Sequence, residues 1–189
     1  TTGVIHQRRA VTSGDGFLVE ADRRVHFGLG AALVADEIEI RWPSGTVNYL
    51  DAVPADQYVS VVEPSFIPSA GAFIPGTTTT LTLDLSADVG LPYVSGIALD
   101  VSTEFMLPDS RAIRVNLADP ILILSTTFGN PLLGAFTGWL PAGGASLSVT
   151  MPPIPALSGL GFWMIAVTLD PLRPGGVKSI VGPCPFEVG

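Results

Sequence analysis

Asp36-Glu37-Ile38-Glu39-Ile40-Arg41-Trp42-Pro43-Ser44-Gly45 is the stretch that sets the fold class. From Glu37 to Trp42, charged and apolar residues alternate. Ile38, Ile40 and Trp42 share one face and Glu37, Glu39 and Arg41 the other, the period of a half-buried strand. Pro43-Ser44-Gly45 supplies turn chemistry, with proline fixing φ early and glycine accepting a positive φ. Thr46-Val47-Asn48-Tyr49-Leu50 alternates again, so residues 37–50 predict a β-hairpin whose Ile38, Ile40 and Trp42 face a first core. Upstream, Val25-His26-Phe27-Gly28-Leu29-Gly30 bends the chain into the hairpin at its two glycines. The whole stretch reads as scaffold.

Working outward, residues 4–11 read as a polar edge strand carrying Gln7-Arg8-Arg9. Ser13-Gly14-Asp15-Gly16 is a turn, Phe17-Leu18-Val19 is extended, and residues 31–35 hold at most one helical turn. After the hairpin, residues 53–57 form a loop and 58–62 a closing strand, which ends a first β-domain at residues 1–65. Residues 66–76, with Pro68, Gly71, Pro75 and Gly76, are a linker whose Phe66 and Phe73 imply packing against a domain. From Thr77 a second pattern begins, with Leu81, Leu83 and Leu85 pointing inward. Further strands are predicted at 93–101, 112–117, 121–127, 135–140, 145–151, 162–170, 177–181 and 186–188. Turns recur at roughly the 8–12-residue rhythm of an antiparallel sandwich. Residues 151–160 are a rigid, proline-rich crossover. The fold class is therefore all-β: a small β-domain followed by an antiparallel β-sandwich over 77–189.

Four motifs in order carry a family resemblance. They are Ser13-Gly14-Asp15-Gly16-Phe17, then Asp22-Arg23-Arg24-Val25-His26-Phe27-Gly28-Leu29-Gly30, then Ile38-Glu39-Ile40-Arg41-Trp42-Pro43-Ser44-Gly45, and Val53-Pro54-Ala55-Asp56-Gln57. Together they resemble the ASPIC/UnbV module, which follows FG-GAP (integrin-like propeller) repeats in large secreted bacterial proteins and in cartilage acidic protein. The family has a further strand before the Gln7-Arg8-Arg9 region, so the resemblance implies a module that is incomplete at its N-terminal side. It supplies no catalytic residues. The second half resembles a C-terminal module of large secreted bacterial proteins at Gly90-Leu91-Pro92-Tyr93, at Ile154-Pro155-Ala156-Leu157-Ser158-Gly159-Leu160 and at Ser179-Ile180-Val181-Gly182-Pro183.

Composition narrows the function. Hydrophobic residues are 47% of the 189 and charged residues only 14%, against ~25% charged in an ordinary soluble domain. The mean hydropathy is positive, which implies strands buried on both faces or apolar surface hidden at an interface. The net charge of −8 is spread evenly along the chain, and no basic patch exists to hold a phosphate backbone, which excludes nucleic acid as a main partner. No apolar run approaches the ~20 residues of a membrane span. Thr1-Thr2-Gly3 opens no signal peptide, so the chain is expected to be a mature or excised portion of something longer. Cys184 lies between Pro183 and Pro185 and reads as a small buried hydrophobe. One lysine (Lys178), one cysteine and no glycosylation sequon suit a secreted prokaryotic surface protein.

Candidate sites are sparse. His26 reads as a structural histidine, because the only other histidine is His6. Asp15, Glu20 and Asp22, and separately Asp84 and Asp88, are oxygen donors that Ca²⁺ would accept, yet none sits in a ligand-rich loop of fixed spacing; solvated turn carboxylates are the favoured reading. A glycosidase pair needs a carboxyl separation that no spacing encodes, and no nucleophile elbow, P-loop or Cys-x-x-Cys occurs. Trp42 and Trp163 lie in apolar alternation and read as core, whereas Trp139, beside Gly138 and a turn, is the candidate for stacking on a sugar. No cofactor or metal is expected. The favoured function is a non-catalytic, extracellular or cell-surface structural or adhesion protein that acts through β-domain protein–protein contacts and self-assembles into a filament or surface layer. The alternative is a carbohydrate-binding accessory module of a larger secreted enzyme.

Overall fold

A computed structural model describes residues 4–11, 24–69, 73–127 and 130–189. The hairpin forms where its alternation and turn place it. Strands β1 (Val34–Arg41) and β2 (Val47–Pro54) pair antiparallel from Val34 opposite Pro54 to Arg41 opposite Val47. The turn closes with Trp42 N donating to Thr46 O at 2.9 Å and Gly45 N donating to Trp42 O at 3.0 Å. Gly45 sits at φ +98, a conformation a side chain would strain.

Burial within the hairpin differs from the expectation. Ile38, Ile40 and Trp42 are only half-buried, while Thr46, Val47, Asn48 and Tyr49 are buried. The reason is topological: among the described residues β1 is the outermost strand of its sheet and β2 has neighbours on both sides. The Trp42 indole N–H donates to Asn48 Oδ1 at 2.7 Å, which holds the ring along the turn.

The remaining strands are β3 (Ser65–Pro68), β4 (Thr78–Asp84), β5 (Pro92–Ala98), β6 (Glu104–Met106), β7 (Ala112–Arg114), β8 (Leu133–Gly134), β9 (Thr137–Trp139), β10 (Ala145–Thr150), β11 (Gly161–Leu169) and β12 (Val177–Glu187). They build a six-stranded sheet in the order β1-β2-β12-β11-β5-β9, a four-stranded sheet β3-β4-β10-β8 and a small β6-β7 ribbon. The named strands pair antiparallel throughout. The hairpin joins the larger sheet through one pair, Val47 opposite Ile180.

The two sheets enclose one main core. Leu81, Leu83, Leu85, Leu147 and Val149 of the smaller sheet and its flank meet Tyr93, Ile97, Phe162, Met164, Ala166 and Val181 of the larger. The inward leucines expected at 81, 83 and 85 are all buried, and each contributes about 1.5–3 kcal/mol of transfer free energy. Residues 66–76, read as linker, supply β3, which pairs with β4, and two buried rings, Phe66 and Phe73. Phe73 packs edge-on against Phe162 and Phe186 at centroid distances of 4.9 and 5.3 Å.

Four expected elements are corrected. Residues 4–11 form no edge strand; they are exposed and find no ladder among the described residues, and Gln7 Nε2 donates instead to Gly28 O at 2.7 Å. Residues 58–62 form no strand, and Tyr58 and Val62 are 89% and 80% exposed; β2 is already flanked on both edges, so that segment finds no ladder beside it. Residues 186–188 are not separate, because β12 runs unbroken to Glu187. Residues 121–127 are not a strand. They lie largely in α1 (Pro120–Ser125), which Asp119 caps by accepting from Ile121 N at 2.8 Å and Leu122 N at 3.3 Å, with Pro120 opening the first turn. Proline at the first turn after an aspartate cap is a start signal that outweighs a β-prone apolar run. The helix covers the outer face of β5. A Cβ added at Gly96 would lie 2.6 Å from Leu122 Cδ1, so the Leu122 methyl sits in the space that a side chain at residue 96 would take.

Candidate functional site

Charge in this chain is scarce, and much of it gathers on one seam, where the hairpin meets β12 and the loop after β6. Arg111 is deeply buried there, at 1% exposed. Its Nη1 donates to Lys178 O, its Nη2 to Val177 O at 2.6 Å and its Nε to Asp109 Oδ2 at 2.6 Å. This satisfies the charge with two carbonyls and a carboxylate, as burial of a guanidinium demands. Its guanidinium carbon lies 5.3 Å from the centre of the Tyr49 ring, and that of Arg173 lies 4.6 Å from it, so two cations rest on one aromatic group. The Tyr49 hydroxyl donates to Glu39 Oε2 at 2.7 Å. Burial and that bond push the Tyr49 pKa far above its ordinary value, so it stays a neutral donor.

Arg173 ties the far side of the hairpin. Its Nη2 donates to Asp51 Oδ1 at 2.7 Å and its Nη1 to Glu37. Lys178 donates to Asp51 Oδ2 at 2.6 Å and lies 3.3 Å from Asp88 Oδ1, with its own side chain 7% exposed. Asp88 is buried in the 3-10 turn after β4, and its Oδ2 accepts from Thr168 Oγ1 at 2.5 Å. Burial raises the Asp51 pKa, but the Lys178 hydrogen bond and the charges of Lys178 and Arg173 outweigh it, leaving the carboxyl below its usual range. Burial likewise works against the Lys178 ammonium and is outweighed by Asp51 and Asp88, so its pKa is raised. Glu39 is lowered too, desolvation being overcome by hydrogen bonds from Arg41 and Tyr49.

The candidates from sequence fall mostly elsewhere. Asp15, Glu20 and Asp22 lie outside the described residues. Asp84 and Asp88 are not brought together as ligands: Asp84 is exposed at the end of β4, whereas Asp88 turns inward to Thr168 and Lys178. Among the described residues no three His, Cys, Asp or Glu side chains converge as a metal would require. His26 and His6 are exposed. Trp139 stands 72% exposed on β9, at the opposite end of the six-stranded sheet from β1, and Trp163 is half-buried. Cys184 is half-buried and burial raises its thiol pKa, which keeps it un-ionised. The seam itself, Tyr49, Asp51, Arg111, Arg173 and Lys178, escaped sequence reasoning. The signal available was the presence of a lone lysine and a lone mid-chain Asp109-Ser110-Arg111 in a chain so poor in charge.

The architecture is that of an antiparallel β-sandwich whose N-terminal hairpin is fastened to it by ion pairs and buried donors. Residues 1–67 match the family described as ASPIC and UnbV, and the hairpin and its Trp42-Pro43-Ser44-Gly45 turn lie within that match. No curated protein and no solved structure matches the chain. Among the described residues no helix is long and apolar enough to cross a membrane.

Proposed function

We propose that this chain is a non-catalytic structural or adhesive module of an extracellular surface, working through protein–protein contacts of its β-sheets. The observation that carries the reading is the open edge at β1. Among the described residues only β2 pairs with this eight-residue strand. Its outer N–H and C=O groups are a template for a further strand. Exposed apolar side chains are abundant, with Leu33, Val34, Tyr58 and Val62 around the hairpin.

Charge bears on how copies would meet. β1 carries Asp36, Glu37 and Glu39 against one cation, Arg41, so two β1 strands side by side would bring an excess of like charges together at cost. The other end of the same sheet is β9, Thr137-Gly138-Trp139, which has no charge. Head-to-tail addition of β1 to β9 of a second copy continues the sheet without that repulsion, and such heterologous contacts propagate into open filaments.

Sedimentation velocity over a concentration series tests this. Growing assemblies are expected for the wild type. Asp36→Pro, placed where the β1–β2 ladder skips a pair, should leave monomers. Monomers of the wild type at high concentration would refute the reading. The alternative, a carbohydrate-binding accessory module, is supported by the exposure of Trp139 alone. Quenching or shift of its fluorescence by a panel of polysaccharides would favour it, and loss of that response in Trp139→Ala would locate it.

A further inference from the structure

Lys178 is the one lysine of the chain; the other eight members of its Lys and Arg count are arginine. Arginine serves a buried ion pair better, because its planar fork meets a carboxylate at two points and its charge is permanent. Lysine differs in that its amine can lose a proton and become a nucleophile. The chain places this single amine among two carboxylates, 2.6 Å from Asp51 Oδ2 and 3.3 Å from Asp88 Oδ1, with the Asp88 side chain 0% exposed.

The two oxygens of Asp88 are in different circumstances. Oδ2 accepts from Thr168 Oγ1, and that hydroxyl is itself oriented by accepting from Ser179 N at 3.0 Å. Oδ1 is buried with no hydrogen-bond partner, since the 3.3 Å approach of Nζ lies off a hydrogen-bonding direction. A buried oxygen left in that condition is costly. One oxygen is thus held by a donor, and the other meets the Lys178 amine through the 3.3 Å ion pair alone.

We propose that Lys178 and Asp88 join as an intramolecular isopeptide cross-link, with Asp51 as the proton carrier. Asp51 takes a proton from the Lys178 ammonium. The freed lone pair forms a bond to Asp88 Cγ, and negative charge develops on Oδ2, where the Thr168 hydroxyl meets it. Asp51 passes its proton to Oδ1, the nitrogen gives up a second that Asp51 relays to the same oxygen, and the Cγ–Oδ1 bond breaks as Oδ1 leaves with both protons as water. An ammonium and a carboxylate become one amide and one water; Asp51 ends ionised as it began, and no oxidant or other reactant enters.

Two physical effects favour the step. Groups held in place beside each other reach effective molarities of roughly 10⁵–10⁸ M, and Lys178 Nζ is fixed 3.3 Å from an oxygen of the carboxyl it would attack. A neutral amide also removes the desolvation cost of a buried ion pair. Because Asp51 and Asp88 hold Lys178 as an ammonium, the first proton transfer is the slow part of a single-turnover reaction. The bond would lock the turn after β4, in the smaller sheet, to β12 in the larger. Asp51, from the segment matching ASPIC and UnbV, would drive a reaction between residues that lie outside it. This inference is independent of the assembly reading above.

The test is the intact mass of the purified, folded chain after incubation at neutral pH and then denaturation. The wild type is expected to be lighter than its sequence by one water, about 18 Da, and to yield on digestion a branched peptide joining residues 88 and 178. Lys178→Arg keeps the charge and should show the full sequence mass. Asp51→Asn keeps both reacting groups and should slow the mass loss by ~100-fold, the usual scale of acid–base assistance. Full sequence mass in the wild type, or a water loss that persists in Lys178→Arg, overturns the proposal. The branched peptide from the wild type decides the matter even if a variant fails to fold.

Discussion

Replacing Arg111 by alanine tests how the hairpin is fastened to the sandwich. The guanidinium is buried and donates to Val177 O, Lys178 O and Asp109 Oδ2, so its removal strips three acceptors at once. Breaking a buried, hydrogen-bonded charge pair by deleting one partner costs about 3–5 kcal/mol. Asp109 is 22% exposed and regains water, which favours the lower half of that range. The Tyr49 ring also loses one of its two cations, a further ~0.5–1 kcal/mol. About 4 kcal/mol is therefore expected. For a chain of this size each kcal/mol moves Tm by roughly 2–4 °C, so Tm should drop by about 8–16 °C. Arg111→Lys should recover only part of the loss, because one ammonium cannot serve three acceptors in fixed directions. Chemical denaturation followed by fluorescence would measure both variants. A loss below about 1 kcal/mol for Arg111→Ala would show that the seam does not hold the structure.

Other outcomes follow from the same geometry. Leu83→Ala, in the centre of the core at 0% exposure, should cost about 2–5 kcal/mol. Trp42→Ala should cost less, near 1–2 kcal/mol, because its ring is half-buried on the outer hairpin; equal losses would show that the hairpin has a core of its own. Glu39, Asp51 and Asp119 all have folded-state pKa values below their ordinary ones. Their stabilisation is therefore present above pH ~4–5 and is lost as pH falls through the depressed values. Thermal melts should be level from neutrality to about pH 5 and decline below about pH 4, and Glu39→Gln should make that acid decline shallower; an unchanged decline would contradict the assignment. Treatment with a divalent-ion chelator should leave Tm unchanged, and a fall of many degrees would point to a cation at Asp84–Asp88 or at Asp15, Glu20 and Asp22.

The sandwich was legible where a strand has one face in the core. Leu81, Leu83 and Leu85 alternate with polar residues because β4 packs its inner face on β11 and leaves the outer face wet. The hairpin was legible because its turn chemistry is local. Pro43-Ser44-Gly45 specifies a reversal whatever surrounds it. What failed were segments decided by neighbours. Tyr58-Val59-Ser60-Val61-Val62 has the alternation of a strand but no ladder beside it, and strands need partners as helices do not. Pro120-Ile121-Leu122-Ile123-Leu124 looks β-prone until the Asp119 cap is weighed, and the helix is so short that periodicity could not declare it. The seam was illegible for a different reason. Tyr49 meets Arg111 and Arg173, and Asp51 meets Lys178, only because β2 comes to lie beside β12. Sequence spacing encodes the contacts within a strand, and these arise from the order of strands in the sheet.

The β1 edge, which only β2 pairs among the described residues, is the feature on which the proposed structural and adhesive role depends, and amide hydrogen exchange reads it directly. Mass-spectrometric exchange would be followed for residues 34–41 in dilute and in concentrated protein, with the core strand β11 as internal reference. The expected result is rapid exchange of the outward β1 amides in dilute solution, growing protection as concentration rises, matching protection at residues 137–139, and no change in β11. Exchange at β1 that stays the same across the whole concentration range would contradict it.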